Sequence, residues 1–156
     1  MKPCFPKIMV GAALAALAAP AIWALEIAIA NNQELSFGSF VAGSGGSVTV
    51  GTSGARSASG GVLLIPSSAG AAAQFTVTGD ANATYTIQLP GNDFVKLTGP
   101  GGDMLINDFV SSPSGVGGQL SAGGSQTLLV GATLSVASGQ VAGQYSGSFS
   151  VIVDYN

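Results

Sequence analysis

The chain has 156 residues, enough for one domain that buries roughly two-thirds of its unfolded surface. Only 7% of the residues are charged, histidine is absent and Cys4 is the sole cysteine, which excludes Ser/His and Cys/His nucleophilic sites and His-ligated metal centres. The 24 glycines, set among many Ala, Ser, Thr and Val, suit close-packed strands in an extracellular setting better than a cytosolic surface of Lys and Glu.

Lys2 and Lys7 precede an apolar run from Ile8 to Ala19, Pro20 can end that helix, and small residues follow at Ala21 and Ala24. Residues 1–24 therefore read as a secretory signal peptide, cut after Ala24, with a cut after Ala21 as the alternative. The run is too short to cross a bilayer comfortably, so no membrane span is expected after cleavage. Removal of Cys4 leaves no disulfide. Arg56 and Lys96 then face seven carboxylates, a net charge of −5, with no basic patch for nucleic acid. The expected mature chain, residues 25–156, reads as a single exported β-sandwich domain.

In chain order, short β-like runs alternate with Gly/Ser/Asn/Asp turns, as in an all-β sandwich. The runs are 25–30, 35–40, 47–50, 62–65, 74–78, 84–89, 94–97, 104–110, 127–130, 133–136 and 144–155. Leu25, Ile27 and Ile29 alternate in the first. Phe75 and Val77 alternate in the fifth, and Tyr85, Ile87 and Leu89 in the sixth, so the two runs, joined by residues 79–83, are expected to form a hairpin. The stretches 43–47 and 51–61 are expected to be loops. Asn82-Ala83-Thr84 matches a glycosylation sequon but also suits a turn.

Catalysis has few parts to draw on. Asp93, Asp103 and Asp108 lie among Asn, Gly and Pro, where side-chain oxygens cap turns, so no catalytic residue, cofactor or metal ligand is assigned. The same loops, Asn92-Asp93, Gly102-Asp103 and Asn107-Asp108, support the alternative of a self-contained secreted module that binds calcium or glycan.

The last run is the most informative. Phe149, Val151, Val153 and Tyr155 alternate with small or polar residues, the pattern of a half-buried strand, and a strand in this position offers one edge to another strand.

Two segments carry a family resemblance. The first is Leu35-Ser-Phe-Gly-Ser-Phe with Ser47-Val-Thr-Val; the second is Leu129-Val-Gly-Ala-Thr-Leu-Ser-Val with the ending from Gly143 to Tyr155. Together they resemble the bacterial domain of unknown function 4402 family, itself similar to the archaic chaperone-usher pilins related to spore coat protein U. Pilin subunits share a glycine fourteenth from the C-terminus, alternating apolar residues and a penultimate tyrosine; Gly143, Phe149, Val151, Val153 and Tyr155 occupy those places here.

The resemblance implies an immunoglobulin-like sandwich that lacks one strand and is completed by a donor strand. It implies a structural subunit or tip component of a bacterial surface fibre. Its implied partners are a periplasmic chaperone and an outer-membrane usher, then copies of itself or other fibre subunits. The chain departs from the pilin pattern at its other end, where Leu25, Ile27 and Ile29 serve either as a donor strand or, the preferred reading, as the domain's own first strand.

Overall fold

The computed structural model describes residues 23–114 and 117–156, and within them the fold is all β, with twelve strands and no helix. The expected signal peptide and its cleavage position lie outside the described residues, apart from Trp23 and Ala24.

The longest strand organises the molecule. Strand β11 (Ser125–Val136) presents Leu128, Val130, Ala132, Leu134 and Val136 to the core and mostly Ser, Thr and Gly to the outside. That period-2 code keeps one face apolar over twelve residues. One of its edges pairs first with β6 (Ala73–Thr78) and then, past Gly131, with β3 (Gly46–Val50). The other edge pairs with β9 (Gly102–Ser112). Outboard lie β1 (Ala28–Gln33) on β6, β4 (Arg56–Gly60) on β3 and β8 (Val95–Gly99) on β9, which completes a seven-stranded antiparallel sheet.

Against the first half of that sheet lies a three-stranded layer in the order β10 (Gly117–Gln119), β7 (Thr84–Gln88), β12 (Ile152–Tyr155). Against the second half lies a two-stranded ribbon, β2 (Phe40–Val41) with β5 (Leu63–Leu64). Two apolar clusters fill the sandwich. One is built on Val77, Tyr85, Ile87, Leu128, Val130 and Val153, the other on Phe37, Val48, Val50, Met104, Ile106 and Leu134. Leu35, Phe109 and Phe149 pack on both and join them.

Tyr145 anchors the entry to the C-terminal segment. Its hydroxyl donates to the Val141 carbonyl at 2.6 Å, four residues upstream, and accepts from Gly101 N–H at 2.9 Å. A tyrosine hydroxyl bonded to a backbone group a few residues upstream is the geometry of a tyrosine corner.

The structure corrects three expectations. The runs 74–78 and 84–89 do not form a hairpin. β6 and β7 belong to opposite layers, and their alternating residues Val77, Tyr85 and Ile87 meet across the core instead of side by side. The runs 127–130 and 133–136 are one strand, β11. The stretch 51–61 contains β4, whose Ser57, Ala58, Ser59 and Gly60 carry no apolar signal and are held by backbone pairing to β3. Arg56 at its start explains the ordered ribbon beside it: the guanidinium donates to the carbonyls of Phe37, Ser39 and Ile65.

Candidate functional site

Strands β12 and β1 are the outermost strands of the two opposed layers on the same side of the sandwich. Strand β12 pairs with β7 on one edge, and β1 pairs with β6 on one edge; among the described residues neither has a partner on the other. The sequence sets this up. In 149–155 the burial alternates as the sequence predicts, with Phe149, Val151 and Tyr155 half-buried, Val153 buried, and Ser150, Ile152 and Asp154 exposed. On the facing strand Ile27 and Ile29 point inward and are half-buried.

The predicted C-terminal run of 144–155 is divided. Ser146 pairs with Thr98 of β8 in the seven-stranded sheet, through two backbone hydrogen bonds of 2.8 and 3.1 Å. Residues 152–155 pair with β7 in the other layer. Between them the chain crosses from one layer to the other. Gly147 permits the crossing, since a Cβ there would collide with the Lys96 carbonyl. Phe149 sits at the crossing, edge-on to Phe75 at 6.4 Å between ring centroids and tilted against Phe109 at 5.1 Å. Gly143 lies earlier, exposed and against the Pro100 ring, away from the β1–β12 opening.

The ladder register defines what the free edge offers. Asn156 N–H donates to the Thr84 carbonyl. In an antiparallel ladder the bonded positions alternate, so Ile152 and Asp154 also bond to β7. The N–H and C=O groups of Val153 and Tyr155 therefore face the open edge, in register with the apolar side chains that point into the core. An extended strand laid there would gain main-chain hydrogen bonds and apolar seats together.

One end of the opening is closed. The Tyr155 hydroxyl donates to the Leu25 carbonyl at 2.6 Å and accepts from Asp80 N–H at 2.7 Å, while Leu25 N–H donates to Asp80 Oδ1 at 2.9 Å. Gly79 makes room, because a Cβ on it would strike the tyrosine hydroxyl. Leu25 itself is 59% exposed and lies before β1, which runs from Ala28 to Gln33, three residues later than the predicted 25–30. The apolar row of the N-terminal segment is thus Ile27 and Ile29, with Leu25 used through its backbone. Sequence reasoning missed Asp80 and Phe75, which carry no local pattern that tells their roles from a turn residue and a core residue.

The carboxylates of the 93–108 loops do not converge: among the described residues no three acidic side chains share a site. They brace the loops instead. Asp93 N–H donates to Asn107 Oδ1 at 2.8 Å, Asp108 N–H donates to Asn92 Oδ1 at 2.9 Å, and both aspartates sit in the left-handed region. Asp103 accepts from Lys96 and Thr98, and the lysine bond in first place holds its carboxyl below the usual carboxylate range. Among the described residues no helix is long and apolar enough to cross a membrane.

A family model described as "Domain of unknown function (DUF4402)" matches residues 27–155, a span that contains both edge strands, β1 and β12, in full. No curated protein and no solved structure gives a significant match.

Proposed function

The chain belongs to the DUF4402 family, and we propose that it is a structural subunit or tip component of a bacterial surface fibre, assembled by β-strand complementation at the β1–β12 opening. The observation that carries this reading is the pairing of two edges that have no partner among the described residues with a half-buried apolar row, Ile27, Ile29, Phe75, Phe149 and Val151, between the layers. Seating about four alternating apolar side chains there would contribute roughly 6–12 kcal/mol before ordering costs. The resemblance of the ending to archaic chaperone-usher pilins supports the same assignment, with export through the signal peptide, a periplasmic chaperone, an outer-membrane usher and other subunits as partners. The role is not enzymatic.

Strand β1 is engaged with β6 over five register pairs, so in this fold Ile27 and Ile29 serve their own sandwich. That favours a receiving role for this chain and suits a tip component. It also lends weight to the second reading, a self-contained secreted module.

The test is titration of the purified protein with a synthetic peptide of residues 25–32, which carries the alternating Leu25, Ile27 and Ile29. A saturable rise in melting temperature is expected, since a ligand at about 100 times its Kd adds about 2.7 kcal/mol. A protein whose melting temperature and amide exchange ignore every alternating apolar peptide tested would count for the self-contained module.

A further inference from the structure

A second opening lies on the other edge of the C-terminal segment, away from the β1–β12 side. The ladder between β7 and β12 ends at Gln88 and Ile152. Beyond it Pro90 has no N–H to donate, and the chain before Ile152 turns away toward β8, where Ser146 pairs with Thr98. The two segments separate like a fork. The space between them is an open concavity of about 330 Å3, at the small end of the range for ligand sites.

Its chemistry is specific. Val95 and Phe149 form apolar surface, Gln88, Ser148 and Ser150 offer amide and hydroxyl groups, and no ionisable side chain lines it. Residues 148–150 carry no ladder partner and no backbone hydrogen bond among the described residues. On the loop between two of its walls, Pro90 and Val95, stands Phe94, which is 85% exposed and folds over Gly91. That loop is rigidly braced by the hydrogen bonds that tie Asn92 and Asp93 to Asn107 and Asp108. An aromatic side chain this exposed on a braced turn has no role in the core, and its presentation costs little further ordering on binding.

We propose that this fork is a binding site for a neutral oligosaccharide, with Phe94 stacking against a sugar ring and Gln88, Ser148 and Ser150 bonding its hydroxyls. The uncharged lining favours a neutral ligand over phosphorylated or sialylated ones. The mixture of ring face and hydrogen-bonding groups favours a sugar over an aliphatic ligand. The fork shares Phe149 with the row between the layers, but it lies on the β7-facing edge of the C-terminal segment, the edge that strand complementation does not use.

The experiment screens the purified full chain against immobilised β-glucan, β-galactoside and α-mannoside oligosaccharides, with sialylated and uronate-containing counterparts beside them. Wild type should be retained by at least one neutral class. Phe94→Ala and Gln88→Ala, both at exposed positions, should each weaken that retention by about tenfold or more while the melting temperature holds. Retention by no neutral sugar, retention that needs the acidic group, or retention equal in wild type and both variants would overturn the assignment.

Discussion

Tyr155 shows how one side chain ties the ends of the described chain to the corner between layers. Its hydroxyl uses both its proton and a lone pair on backbone groups, Leu25 C=O and Asp80 N–H, in a half-buried position. Tyr155→Phe keeps the ring and removes both bonds. It should cost about 1–3 kcal/mol by denaturant melting and free the Leu25 segment, seen as faster amide exchange there. Tyr85 makes the contrasting case. It is fully buried, donates to Gln126 Oε1 at 2.6 Å, and burial pushes its pKa above the usual value. Because the folded pKa is the higher one, the stability this group lends is complete below the ordinary tyrosine range and is lost as pH rises through the folded value. Melting temperatures of wild type should therefore fall above about pH 10, and Tyr85→Phe should flatten that fall. An identical alkaline slope in the variant would place the effect elsewhere.

At the scale of elements, β12 behaves as the period-2 code demands, and adjacent positions should respond oppositely to the same change. Val153→Asp puts a carboxylate into a site only 8% exposed and should cost more than about 4 kcal/mol, enough to unfold the protein. Ile152→Asp, at 51% exposure, should stay within about 1 kcal/mol. Thermal melts and the yield of folded protein separate the two. Equal tolerance of both would mean that the face is not buried. The same code explains what could be read in the sequence. Strands β3, β6, β7 and β11 announce themselves through alternating Val, Leu, Ile, Phe and Tyr, because each keeps one face in the core. Strands β4 and β10 stayed hidden, since Ser, Ala and Gly join a sheet through their backbones alone. Alternation also says which face of a strand is apolar but not which layer holds it, which is why 74–78 and 84–89 suggest a hairpin where the fold has a corner. For the site, the apolar row of the C-terminal strand was legible residue by residue. The latch on Asp80, the aromatic contact with Phe75 and the crossing at Gly147 depend on segments brought together by the tertiary fold.

At the scale of the molecule, one long strand carries two half-sandwiches, and the second layer covers the first half with only three strands. That arithmetic leaves β12 as an edge strand facing β1, with main-chain groups and half-buried side chains presented in the same register. A fibre subunit needs such an edge to be open in the isolated chain and closed in the assembly. A self-contained module would show the same state under both conditions. The most direct measurement is residue-resolved amide hydrogen exchange on the isolated protein and on its assembled or partner-bound form. Val153 and Tyr155 amides should exchange much faster than those of Ile152 and Asp154 in the isolated chain, and all four should be slow in the assembly. Four slow amides in the isolated chain, or Val153 and Tyr155 still fast in the assembly, would contradict it.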